Sequence, residues 1–128
     1  MKRDSANHTV LAIESAIRGG SIALFRDGKE IASVGKKNDV SRAEDLLPNI
    51  EKLLNASFVK LEEIDRIAVS RGPGSYTGIR IGISTALGLA RALNLSCFGV
   101  SVLEAMAILG GHSRKIITAV PFSKNEVV

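Results

Sequence analysis

The sequence predicts an α/β fold built on one mixed sheet, in the order βββαβαβα with helices on its faces. Three observations predict it. The first third alternates short apolar runs with glycine turns, an apolar helical repeat begins at Leu46, and two short strand-like runs, residues 66–70 and 97–100, are each followed by a helical pattern. Three meander strands followed by helix-linked strands imply later strands added in parallel through right-handed crossovers.

Each element has its own signal. HTVLAIE, SIALFRD and EIASVG read as three antiparallel strands joined at Arg18-Gly19-Gly20 and at Asp27-Gly28. Asp-Gly is a strong two-residue hairpin signal because both central positions of a type I′ turn need positive φ. Ser41 with Glu44 forms a capping box, and Leu46, Leu47, Ile50, Leu53 and Leu54 recur at helical spacing as one apolar face. Pro48 interrupts that run, so a kink is expected, or a restart with Pro48 at the first helical position. Residues 66–70 then read as a buried strand, the glycine-rich stretch up to Leu93 as a long helix capped by Ser75 or Thr77, 97–100 as another strand, and 102–109 as a helix closed by Gly110-Gly111. A further strand over residues 116–120 is expected to open a second lobe. Residues 1–112 are thus expected to form the first lobe and residues 113–128 the start of a truncated second one.

At 128 residues the chain is long enough to bury a core without staples. One cysteine, Cys97, excludes an internal disulfide framework and fits a reducing compartment. The only apolar run near the N-terminus covers residues 10–13, too short for the core of an export signal, so a cytoplasmic location is expected. The formal charge is +4, with 17 Lys and Arg scattered rather than clustered. That distribution lacks the footprint of a dedicated nucleic-acid groove. With four Phe, one Tyr and no Trp, base-stacking platforms are not expected either.

The stretch SRGPGSYTGIRIGISTALGLARAL combines a glycine-rich loop with an almost wholly apolar helix. A phosphate-binding P-loop requires a lysine and hydroxyl after its last glycine, whereas Gly72 and Gly74 are followed by Gly78-Ile79-Arg80. The dinucleotide pattern fails by one position. Two readings of the loop remain: Gly72, Gly74 and Ser75 as an anion-binding loop at a helix start, or a tight strand-to-helix turn capped by Ser75 or Thr77. A membrane span is excluded because the apolar stretch covers only residues 81–90 between two arginines, against about 20 residues for a bilayer.

Sorted in steps of four, the long helix has a small column (Gly78, Gly82, Ala86, Ala90), a second mostly small one (Arg80, Ser84, Gly88, Ala92) and two bulky ones containing Ile79, Ile83, Leu87 and Ile81, Leu89. The bulky columns suit the sheet; the first small column suits a closely packed neighbouring helix. Each interior glycine costs about 1 kcal/mol relative to alanine, so something must lie close to it. That neighbour is either the chain's own first helix or a helix from another protein.

No catalytic constellation stands out. His8 and His112 lack the spacing of a metal site, and no histidine is placed beside Ser70, Ser75 or Ser101. Glu14, at the end of the first strand, is either a solvated strand-end charge or an acid placed for magnesium. No catalytic residue, metal or cofactor is therefore expected.

The residues RGPGSYTGIRIGISTALGLARAL and SVLEAMA, with LLPNIEKLL and the lead-in LEEIDRIAVSRGPGS, resemble the TsaB family, also called YeaZ. The resemblance implies an RNase H-like lobe of the actin, Hsp70 and sugar-kinase (ASKHA) type. It also implies a non-catalytic partner of the transferase TsaD, in making the threonylcarbamoyl modification on the adenosine 3′ of the anticodon in tRNAs reading ANN codons. The ATPase TsaE is an expected further partner, with a homodimer when the chain is alone, tRNA contacted only through the complex, and no membrane. The partner surface implied for this chain comprises Leu46, Leu47 and Ile50 on the first helix and Gly78, Gly82 and Ala86 on the long one. The sequence departs from the family where Glu14-Ser15-Ala16 replaces the usual Asp-Thr-Ser and Val40-Ser41 the usual His-Ser. The alternative is an ATP-dependent phosphotransferase or a glycoprotease-like peptidase on the same fold.

Overall fold

A computed structural model describes residues 8–17, 20–35, 45–111, 117–118, 121–123 and 126–127. Strands β1 (Thr9–Glu14), β2 (Ser21–Arg26) and β3 (Lys29–Gly35) form the expected meander. Asp27 and Gly28 both take positive φ at the β2–β3 turn, as an Asp-Gly hairpin requires. Helix α1 (Leu46–Ala56), a 3-10 turn (Leu61–Glu63), β4 (Arg66–Ser70), α2 (Tyr76–Leu93), β5 (Ser96–Val100) and α3 (Val102–Leu109) follow. The sheet order is β3-β2-β1-β4-β5; β2 runs antiparallel to β1 and β3, while β4 and β5 join β1 in parallel.

The core lies on one face of this sheet. Leu11, Ile13, Ile22, Leu24, Ile67 and Val69 point into it from alternate strand positions and meet Leu46, Ile50, Leu53 and Leu54 of α1 and Ala86 and Ala90 of α2. The period of two along the strands and of 3.6 along the helices brings these residues onto facing surfaces. At the outer edge β3 is exposed almost throughout and carries Lys29 and Glu30, charges that discourage pairing with another chain.

Two sequence expectations change here. Pro48 neither kinks α1 nor starts it: the helix runs unbroken from Leu46, with Pro48 in its first turn, where an amide would have no intrahelical partner. The strand expected at residues 116–120 is not formed at Ile117 and Thr118; instead β6 (Pro121–Ser123) and β7 (Glu126–Val127) pair as a separate two-stranded sheet. The capping box at Ser41 and Glu44 lies outside the described residues.

The end of α1 carries local strain. The Ser57, Phe58 and Val59 amides donate to the Leu53, Asn55 and Leu54 carbonyls, which holds Phe58 at φ +55. A left-handed conformation costs a non-glycine residue about 1–2 kcal/mol. With its side chain 94% exposed, Phe58 recovers none of that through packing. Replacing it by glycine, Phe58→Gly, is expected to raise stability by about 1 kcal/mol, read as a higher urea midpoint. An unchanged or lower midpoint would show that the ring has a partner within the chain.

Candidate functional site

The polar groups of the molecule converge where β1 ends beneath the start of α2. After Glu14 the chain turns through Ser15, Ala16 and Ile17, and the Glu14 carboxylate closes that turn. Its Oε1 accepts from the amides of Ala16 at 2.6 Å and Ile17 at 3.0 Å, and from the Ser70 hydroxyl at 3.0 Å. The last contact ties the end of β1 to the end of the parallel strand β4. The Ser15 hydroxyl donates to the Gly78 carbonyl at 2.7 Å, and the Ser75 amide donates to the Ala16 carbonyl at 2.7 Å. Ser75 caps α2, its hydroxyl oxygen accepting from the Gly78 amide at 3.1 Å. The Val102 amide donates to the Gly72 carbonyl, so the same loop also anchors α3.

These contacts account for the glycines. A β-carbon on Gly74 would collide with the Ala16 carbonyl, and one on Gly72 would lie 2.7 Å from Ile79 Cδ1. The loop glycines thus permit two backbone segments to touch, and Ser75 is engaged as the helix cap. A β-carbon on Gly78 would strike the Ser15 carbonyl, and one on Gly82 the Ser15 hydroxyl, with Ser15 Cβ at 3.2 Å and Val69 Cγ2 at 3.6 Å beyond it.

The placement of the small column is a correction. Gly78, Gly82, Ala86 and Ala90 face the chain's own sheet and are its buried residues. Gly78 and Gly82 lie against Ser15, while Ala86 and Ala90 share the core with the first helix. The physical reason is the turn after Glu14, which lifts Ser15 out of the strand and leaves no room for side chains beneath the first half of α2. Leu46 and Ile50 are likewise inside the core, whereas Leu47 is 54% exposed. Of the six residues expected to form a partner surface, Leu47 is the one that reaches solvent.

The long helix also has a solvated face. Arg80, Ser84, Gly88 and Ala92 are all exposed, Leu87 beside them is 55% exposed, and nothing lies within 4 Å of a β-carbon placed on Gly88. Next to this strip a groove of about 570 Å³ runs between α1, the 3-10 turn and α2, lined by Leu47, Pro48, Leu54, Val59, Leu61 and Leu89. Sequence reasoning missed Leu87, Leu89 and Ser15. Spacing alone does not tell which of two small columns turns inward.

Glu14 is a half-buried carboxylate tied into the turn through Oε1, which accepts all three of these bonds. Among the described residues no cluster of His, Cys, Asp and Glu could hold a metal, and no helix is long and apolar enough to cross a membrane. Burial pushes the Cys97 thiol above its ordinary value, which makes it a poorer nucleophile near neutrality.

The contact between Ser15 and Gly82 yields a coupled pair of predictions. Gly82→Ala should cost about 1–2 kcal/mol, the collision outweighing the gain in helix propensity. Adding Ser15→Ala should recover most of that loss, because the nearest remaining atom, Ser15 Cβ, lies 3.2 Å from the new β-carbon. Chemical denaturation of the two single variants and the double variant measures the coupling; additive effects would disprove the contact.

Comparison with known proteins accords with this geometry. The family model for TsaD, tRNA N6-adenosine threonylcarbamoyltransferase, matches residues 38–121. The chain is 37% identical over 115 residues to the tRNA threonylcarbamoyladenosine biosynthesis protein TsaB of Bacillus subtilis, covering 88% of this chain and 49% of that one. It is 40% identical over 98 residues to the TsaB of Escherichia coli, covering 77% and 42%. The solved structure of YeaZ from Pseudomonas aeruginosa superposes with a TM-score of 0.79 at 32% identity, over 94% of this chain and 57% of that one. The chain therefore spans about half the length of the curated relatives it matches. Identity of 37% and 40% to TsaB proteins, a shared fold and a transferase-family match lead to one conclusion: the chain belongs to the TsaB (YeaZ) family, within the wider family of the TsaD model.

Proposed function

We propose that the chain is a non-catalytic partner subunit in tRNA threonylcarbamoyladenosine biosynthesis, docking on a TsaD-type transferase through the outward strip of α2 and the adjoining flank of α1. The observation that carries this reading is Gly88. Its neighbours in the column, Ser84 and Ala92, are also small, and Leu87 beside it is bared to water. A glycine inside a helix costs about 1 kcal/mol relative to alanine, and here no contact among the described residues explains it. A partner helix crossing at close range would.

The transferase is the occupant best suited to that strip. The family model for TsaD matches this same lobe, so a transferase of that family offers an equivalent helix, and pairing related faces about a two-fold axis hides both. By the same reasoning a second copy occupies the strip when the transferase is absent. TsaE joins the larger assembly in the cytoplasm, and tRNA is met only through it. An internal role for Glu14 also favours an accessory subunit over a phosphotransferase or peptidase, since the carboxylate at the end of β1 already caps a turn.

The test separates binding from folding. Gly88→Leu should leave the melting temperature of the chain unchanged or slightly higher, because leucine is the better helix former by about 1 kcal/mol. The same variant should lose capture by TsaD and fail to support tRNA modification in a reaction reconstituted with TsaD and TsaE. Full capture of Gly88→Leu would place the partner elsewhere; wild-type chain that ignores TsaD would end this reading altogether.

A further inference from the structure

Phe58 sits badly in the monomer on two counts. Its ring is 94% exposed, and the amide bonds that end α1 hold its backbone at φ +55, a conformation that favours glycine. The ring belongs to neither hydrophobic cluster of the described residues. A backbone outlier of this kind points to function, and exposed aromatic side chains are the type that most often anchors a protein contact. Beside the ring lies a hollow. Asn55 and Val59, on either side of Phe58 in the sequence, line the groove of about 570 Å³ whose apolar walls include Leu47, Leu54, Leu61 and Leu89. Phe58 is not among the lining residues, so the ring stands beside the groove and leaves it open. The rim carries charges of both signs, Glu51 and Glu62 with Lys60.

A knob and a hollow side by side on one surface make a self-complementary patch. A two-fold rotation brings each knob over the other copy's hollow, as an isologous contact requires. The mixed charges suit the same arrangement. A rim of one sign would repel its own image, whereas Lys60 of one copy meets Glu51 or Glu62 of the other. We infer that Phe58 anchors a second copy of this chain, each ring entering the groove between α1, the 3-10 turn and α2 of its partner. Burial there removes the ring from water, which offsets a strain that the monomer leaves unmatched. The inference rests on the pairing of two copies proposed above and names its anchor; the transferase reading is carried by Gly88 and does not require Phe58.

Sedimentation equilibrium of the 128-residue chain at micromolar concentration tests the inference. Wild type is expected to dimerise. Phe58→Gly, which relieves the strain and keeps the fold, should weaken the dimer by about tenfold or more. Leu47→Glu, which sets a further carboxylate into the groove wall, should do the same; if circular dichroism shows it unfolded, Leu47→Ser takes its place. Mixed together, the two variants should associate more tightly than either does alone, because the ring of one and the groove of the other make one intact contact. A monomeric wild type, a dimer that either folded variant leaves unchanged, or a mixture no tighter than its components overturns the inference. So does a monomeric wild type whose capture by TsaD is lost in Phe58→Gly, which would make the transferase the partner that buries the ring. Lost self-association of Phe58→Gly with unchanged capture by TsaD separates this contact from the strip around Gly88.

Discussion

The close approach of α2 to the turn after β1 sets the geometry of the rest of the lobe. The Ser15 hydroxyl reaches the Gly78 carbonyl at 2.7 Å, and the positions directly above Ser15 have no space for a methyl group. A helix can come that near only along a column without side chains, which is what Gly78 and Gly82 provide. Further along, Ala86 and Ala90 continue the column onto the core. The rotation of α2 about its own axis follows from this. Once the smallest residues face inward, the bulky columns fall to the flanks and Ser84, Gly88 and Ala92 turn outward.

The hydrogen bonds around the junction keep that arrangement in place. Glu14 holds the turn and the end of β4, the Ser75 amide holds the turn to the loop, and the Ser75 hydroxyl starts the helix. Each buried donor or acceptor left without a partner would cost about 1–3 kcal/mol, so the network resists rearrangement. Groups that in another protein could address a ligand are here spent on one another. The hydrogen bonds of the junction run within the chain, while Ser84, Gly88 and Ala92 on the outward side of α2 are small.

The lobe presents two surfaces of different origin. The strip beside Gly88 is exposed because α2 is locked with that side outward, and the groove bordering it opens where α1 and the 3-10 turn stand apart from Leu89. The row of alanines on the far side of the sheet, Ala23, Ala12 and Ala68, is half-buried and belongs to neither hydrophobic cluster of the described residues.

Much of the fold was legible in the sequence because its signals are local. The Asp27-Gly28 turn, the alternation in HTVLAIE and SIALFRD, the cap at Ser75, and the Gly110-Gly111 stop each act over a few residues, and the structure reproduces the elements they delimit. Even Pro48 was misread only in its position within α1, a matter of two residues at a helix start. The composition of α2 also declared that something approaches Gly78 and Gly82 closely. What approaches them was decided by tertiary structure, because Ser15 lies 63 residues away from Gly78 and reaches it only when β1 and β4 pair in register. Periodicity along one helix sorts its residues into columns, but which column faces inward depends on atoms contributed by another part of the chain.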